Sequence, residues 1–73
     1  MTASERLEHA VVRARSLLSY AEMLERRALS GAGARLEALA VINRARRIAE
    51  PDDLDALDAL ALRCRAPAQS VYG

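Results

Sequence analysis

The chain has 73 residues, enough for one domain, and a chain of this length hides only roughly 60% of its unfolded surface on folding. Hydrophobic residues make up 52% of the sequence and aromatic residues 3%, so the core must consist of alanine and aliphatic side chains, which favours helices over sheets. A net charge of +1 excludes a surface that is basic throughout, and the single cysteine excludes an intramolecular disulfide.

A long first helix is predicted near the beginning of the chain. Thr2 and Glu5 have the spacing of a capping box, so this helix begins near Ala3, and we expect it to span residues 3–30. Small and aliphatic residues repeat along it at heptad positions, and we call this stripe the seam of the first helix. Its members are Leu7, Ala10, Ala14, Leu17, Ala21, Leu24 and Ala28.

A second helix is predicted over residues 34–49, after a break in the chain. Gly31 and Gly33 allow the positive φ angles of a helix stop and a tight turn. The heptad pattern resumes after the break, so the chain is expected to fold back on itself as an antiparallel hairpin. The seam of the second helix consists of Ala34, Ala38, Val41, Ala45 and Ile48.

The two seams define the register of the predicted hairpin. One register sets an alanine against a larger side chain in most layers, which lets the helices approach closely. It leaves Leu7 and Ala10 to be covered by a third helix or by a second chain. Its layers are Ala28 with Ala34 at the turn, then Leu24 with Ala38, Ala21 with Val41, Leu17 with Ala45 and Ala14 with Ile48. Exposed ion pairs of Glu25 with Arg35 and of Arg27 with Glu37 flank these layers.

A third, shorter helix is predicted over residues 51–63. Pro51 suits the first turn of a helix, and Asp52 and Asp53 suit its positive end. Its apolar side consists of Leu54, Leu57, Leu60, Ala61 and Cys64, and residues 65–73 are predicted to be a flexible tail. We therefore predict an all-α fold in a single domain of residues 1–64, built on an antiparallel helical hairpin with a close-packed, alanine-rich coiled-coil seam.

The side chains that carry enzyme or metal chemistry form no recognisable site in the sequence. His9 is the only histidine and is predicted to be a solvated helix residue, while Cys64 is predicted to pack as a small hydrophobe. The aspartates between 52 and 58 lack the glycine and the terminal glutamate of a calcium-binding loop. We therefore expect a protein that is not an enzyme and that uses no catalytic residue, metal or cofactor.

The first two helices have more uncharged surface than one helix contact can bury, which favours further packing or an interface. We expect a small cytoplasmic adaptor or regulator, of the inhibitor, antiactivator or dedicated-chaperone type, that binds another protein and forms a homodimer. No apolar run approaches the length of a membrane span, so no membrane partner is expected. The candidate partner-binding residues are Val12, Ser16, Ser19 and Met23 in the first helix and Leu36 and Leu39 in the second.

An arginine cluster near the end of the second helix indicates an alternative function. Arg44, Arg46 and Arg47 lie there, with Arg13 near the same end of the hairpin, and guanidinium groups bind phosphate and carboxylate. The alternative is therefore a regulator that binds nucleic acid, against which the near-neutral net charge weighs. The same arginines also complement the helix dipole and neutralise the aspartates that follow, which requires no ligand.

Overall fold

The computed structural model of the chain describes residues 2–65 and contains three helices in that range. They are α1 (Ala3–Arg26), α2 (Ala32–Ala45) and α3 (Pro51–Arg65). The predicted all-α fold is confirmed, because α1 and α2 pack extensively as an antiparallel hairpin and the short α3 packs mainly on α2. The predicted tail lies outside the described residues except for Arg65, which is the last residue of α3.

The predicted capping box at the start of α1 is confirmed. The Glu5 N–H donates to Thr2 Oγ1 at 3.2 Å, and the Thr2 N–H donates to Glu5 Oε1 at 3.0 Å. These bonds satisfy backbone donors that the start of a helix leaves without partners. The hydrogen bond from the Thr2 backbone, followed by that from its side chain, lowers the pKa of the Glu5 carboxyl group.

The end of α1 lies earlier than the predicted end near Ser30. The Leu29 N–H donates to the Leu24 carbonyl oxygen at 2.8 Å, and the Ala28 N–H donates to the Glu25 carbonyl oxygen at 3.0 Å. This pair of hydrogen bonds is the Schellman motif that closes a helix. Its left-handed residue is Ala28, with a φ of 62°, so the expectation that a glycine supplies the positive φ is wrong.

The second helix begins at Ala32 rather than Ala34, and its regular part ends at Ala45 rather than Ala49. Beyond Ala45 the chain continues in a tighter turn, because the N–H groups of residues 47–49 each donate to a carbonyl oxygen three residues earlier. Tightening of this kind is common in the last turn of a helix, where carbonyl groups lose their α-helical partners. The predicted end of the second helix therefore coincides with the end of this turn.

The register of the hairpin differs from the predicted one. The Arg13 guanidinium lies 3.3 Å from the Glu37 carboxylate, whereas the prediction set Arg27 against Glu37. A Cβ atom built on Gly31 would lie 2.7 Å from the carbonyl oxygen of Ala21, so the beginning of α2 lies beside Ala21. A shift of α2 by about one heptad towards the N-terminus of α1 is consistent with both contacts. Ala28, which was predicted to lie on the seam of the first helix, is instead exposed in the turn that follows α1.

The shift allows α2 to cover the N-terminal part of the α1 seam. Ala10 is half-buried and lines the same cavity as Val41 and Ala45. Leu7 is also half-buried and packs against the core. Ala10 therefore lies beside α2, which the predicted register did not place there, whereas Leu7 packs on a cluster to which α3 contributes, in agreement with the prediction.

The core lies between one side of the hairpin and α3. Its largest fully buried side chains are Leu18 of α1, Ile42 of α2, and Leu57 and Cys64 of α3. The predicted apolar side of α3 is confirmed, since Leu54 also packs against this cluster. Within residues 2–65, no helix has the length and apolar character that crossing a membrane requires.

Candidate functional site

An open groove lies between α1 and α2 at the end of the hairpin farthest from the turn that joins them, and its volume is about 740 Å³. Its floor is apolar, because Val41 and Ala45 are buried and Ala10 and Ile48 are half-buried. Exposed residues form its rim, and we call the whole depression the basic groove. The rim residues are Arg6, Glu8, His9, Val12, Arg13 and Arg44.

Small side chains line the basic groove from both helices. Ala10 of α1 and Ala45 of α2 both belong to its lining. Alanine fills little of the space between two helices, so these residues leave room for the depression at this end of the hairpin.

Positive groups stand on both edges of the basic groove. Arg6 and Arg13 line it from α1 and Arg44 lines it from α2, while Glu8 is the acidic residue of the lining. The ion pair with Glu37 neutralises Arg13 in part, but neither Arg6 nor Arg44 forms an ion pair with another residue of the range 2–65. An occupant of the groove would meet an apolar floor between cationic edges.

The opposite side of the hairpin is closed by α3 through Arg35, which is only 7% exposed. Its Nε and Nη2 atoms each donate to the Glu25 carboxylate at 2.8 Å. Its Nη1 atom donates to the carbonyl oxygens of Arg63 at 2.7 Å and Cys64 at 3.3 Å, near the end of α3. The Glu25–Arg35 pair is thus present as predicted, but it is largely buried rather than exposed.

This pairing shifts the titration of both partners. The hydrogen bonds from Arg35 lower the pKa of the Glu25 carboxyl group, against an opposing effect of burial. The same hydrogen bonds raise the pKa of the Arg35 guanidinium. The pair remains charged over the physiological range and holds α3 against one side of the hairpin, which leaves the other side to the basic groove.

Two of the candidate partner-binding residues, Val12 and Arg44, lie together in the basic groove. Arg46 instead pairs with Asp58 of α3, which supports the interpretation that this arginine neutralises the acidic segment. Leu39 is half-buried and packs against the core. The remaining candidates do not line the groove: Ser16, Ser19, Leu36 and Arg47 are exposed, and Met23 is half-buried.

The residues that complete the groove were not recognised as candidates from the sequence. Arg6 was not singled out in the sequence, and His9 was predicted to be a solvated helix residue. Ala10, Ala45 and Ile48 were assigned only to the seam. A different register would have pointed to them. If the two seams are paired one heptad away from the predicted register, Ala10 falls opposite Ala45, and the pattern then indicates a gap at this end of the hairpin.

The described residues offer little for catalysis or metal binding. Burial raises the pKa of the Cys64 thiol, which disfavours the thiolate that nucleophilic attack requires. In the range 2–65 there is no group of three or more His, Cys, Asp or Glu side chains that could hold a metal ion. The basic groove, in contrast, has the volume to hold a ligand.

Comparisons of the chain with protein-family models, with curated proteins and with solved structures found no match. The geometry and charge of the groove are the features of the molecule that bear on its function.

Proposed function

We propose that this protein is a small, non-catalytic adaptor or regulator that binds a helical segment of another protein in the basic groove. The observation that carries the proposal is the combination of an apolar floor with an exposed rim that holds the apolar Val12 beside the arginines Arg6 and Arg44. Inhibitors, antiactivators and dedicated chaperones act in this way, by covering a segment of their partner. We place this action in the cytoplasm, where a lone, unpaired cysteine remains reduced.

The shape of the groove favours a helix as the occupant. Two antiparallel helices present parallel ridges, and a third helix fits between such ridges with its apolar stripe on the floor. Arg6 and Arg13 are seven residues apart on α1, so the lined stretch extends for about 10 Å, or two helical turns. An amphipathic helix with apolar residues at positions i, i+3 or i+4, and i+7 covers that distance.

The proposal includes a homodimer formed through apolar surface outside the groove. Leu36 of α2 is 67% exposed and Leu62 of α3 is 66% exposed, so a dimer that covered either side chain would remove apolar surface from water. We expect sedimentation equilibrium to give a dimer and the Leu36→Asp variant to shift the equilibrium towards monomer. A wild-type protein that remains monomeric at all concentrations would remove this part of the proposal.

Selection of helical peptides tests the binding function. The full chain is used to select from a displayed library of amphipathic peptides with leucine fixed along one stripe and Glu, Gln, Arg or Ala allowed on both flanks. We expect the recovered peptides to bind the Val12→Asp variant at least about tenfold more weakly, because a carboxylate would then face the apolar stripe.

Tyr20→Asp is the matched control, since it changes an exposed residue of α1 that lies outside the groove and is not one of the proposed dimer residues. Peptides that bind wild type and Val12→Asp equally, or a selection that recovers no peptide, would contradict the proposal. Circular dichroism of both variants checks that helix content is unchanged.

A further inference from the structure

We infer that the basic groove selects an acidic amphipathic helix, whose apolar stripe contacts the floor and whose carboxylates contact Arg6 and Arg44. This inference rests on the proposed function and specifies the chemistry of the partner. The evidence for it is the position of the charged groups. Arginines line both edges of the groove, and Glu8 is the acidic residue of its lining.

The arrangement of the arginines constrains where the acidic residues of the partner lie. Arg6 and Arg13 stand on the α1 edge about two helical turns apart, and Arg44 stands on the α2 edge. A helix lying between them meets cations along both flanks of its apolar stripe. Glutamates on both flanks, about seven residues apart on the α1 side, would accept hydrogen bonds from these guanidinium groups.

Arg6 and Arg44 carry most of this selectivity. Glu37 already holds Arg13 at 3.3 Å, so Arg13 is partly neutralised before a partner arrives. Arg6 and Arg44 have no such ion pair within residues 2–65. A carboxylate that approaches them replaces water without displacing an existing partner, whereas a lysine or arginine on the same flank would be repelled.

The lining of the groove favours a protein helix over nucleic acid. Single-stranded nucleic acids bind by stacking bases on aromatic rings, and no aromatic side chain other than the imidazole of His9 lines the groove among the described residues. The floor is aliphatic, which suits leucine, isoleucine and valine side chains. A phosphate backbone would contact the arginines but would leave this floor exposed to water.

The flanking residues of the selected peptides test the inference. We expect enrichment of glutamate over glutamine and of glutamine over arginine on both flanks of the leucine stripe. A representative acidic peptide should bind the Arg44→Glu variant about tenfold more weakly than wild type, and its arginine-flanked counterpart should bind that variant more tightly than wild type.

Arg47→Glu is the matched control, because it makes the same change of charge near the end of α2 at a residue outside the groove. We expect it to change the affinity for the acidic peptide less than about twofold. Recovered peptides with neutral or basic flanks would overturn this inference and leave the proposed function standing. Recovery of no peptide at all would overturn both.

A short DNA duplex and a single-stranded RNA of mixed sequence serve as competing probes. We expect neither to displace the acidic peptide at physiological salt. Binding of either probe with a steep salt dependence, weakened alike by Arg44→Glu and Arg47→Glu, would overturn the inference in favour of nucleic acid.

Discussion

The turn between α1 and α2 has an alanine where most helices that end in this way have glycine. Ala28 adopts a φ of 62° at the left-handed position of the Schellman motif. For an L-residue this conformation costs roughly 1–2 kcal/mol, because its Cβ atom approaches the following carbonyl group. The strain at Ala28 is offset by the hydrogen bonds that the N–H groups of Ala28 and Leu29 donate to carbonyl groups of α1. These bonds close the helix and direct the chain back along it.

We expect Ala28→Gly to increase the free energy of unfolding by about 1 kcal/mol, since glycine adopts the left-handed conformation without this strain. Urea denaturation followed by circular dichroism measures the change. An unchanged or lower midpoint would mean that the strain at Ala28 is absent in solution.

The two glycines of the turn region are predicted to respond to alanine with opposite signs. A Cβ atom at Gly31 would lie 2.7 Å from the Ala21 carbonyl oxygen and 2.8 Å from Glu25 Oε2, whereas one at Gly33 would meet no atom within 4 Å. We expect Gly31→Ala to destabilise the fold by about 1–3 kcal/mol, because α2 must move away from α1. Gly33→Ala should stabilise it by roughly 0.5–1 kcal/mol, because Gly33 lies within α2.

Thermal denaturation of both variants measures these changes. Because the two substitutions are chemically identical, equal effects would show that α2 does not begin beside Ala21. This comparison therefore also tests the register of the hairpin.

At the scale of the helices, Arg35 joins all three elements. It lies in α2, donates to Glu25 of α1, and donates to the carbonyl oxygens of Arg63 and Cys64 in α3. Helix α3 makes few contacts with α1, so this side chain supplies much of the polar connection between the hairpin and α3.

We expect Arg35→Ala to lower the free energy of unfolding by about 3 kcal/mol, because it leaves Glu25 and the α3 carbonyl groups without their donor. Arg63→Ala is the control: its ion pair with Glu22 is exposed, so its removal should cost less than about 1 kcal/mol. Arg35→Lys keeps the positive charge but loses the planar set of N–H donors of the guanidinium group. We expect it to lower the free energy of unfolding by an amount between those of the two alanine variants. Equal costs for Arg35→Ala and Arg63→Ala in urea denaturation would contradict this role.

The same pair predicts part of the dependence of stability on pH. The pKa of Glu25 is lower in the folded chain than its ordinary value of 4.5, so its stabilising contribution is present above that value. This contribution decreases as the pH falls below 4.5, and it is lost once the pH passes the lower pKa that Glu25 has in the folded chain. We expect Glu25→Gln to be less stable than wild type at pH 7, and the two unfolding free energies to converge in acid. Curves that stay parallel would exclude this contribution.

At the scale of the whole molecule, the sequence was sufficient for the number and order of the helices and for most of the residues that pack between them. Heptad spacing identifies which side of α1 and α2 is apolar, and the capping box identifies where α1 begins. Heptad spacing does not determine the register of the hairpin, because a shift by seven residues pairs the same apolar faces of the two helices. The structure takes the shifted register, since α1 ends at Arg26 and the turn returns the chain alongside Ala21.

The groove could not be predicted because it depends on that register. In the best-filled pairing Ala10 has no partner and Ala45 faces Leu17, so no layer of two alanines lies at this end of the hairpin. The burial of Arg35 was missed for a similar reason, because the position of the α3 carbonyl groups depends on how α3 packs. Val12 and Arg44 were identified because uncharged and basic stripes are visible without any register.

The most direct test of the proposed binding function is a titration of the isotope-labelled chain with one designed peptide, followed by amide chemical shifts. The peptide is an amphipathic helix with leucine along one stripe and glutamate on both flanks. We predict that the largest shift changes map to Ala10, Val12, Val41, Arg44, Ala45 and Ile48, the residues of the basic groove. Changes centred instead on the exposed Leu36 and Leu62, or no changes at all, would contradict the account.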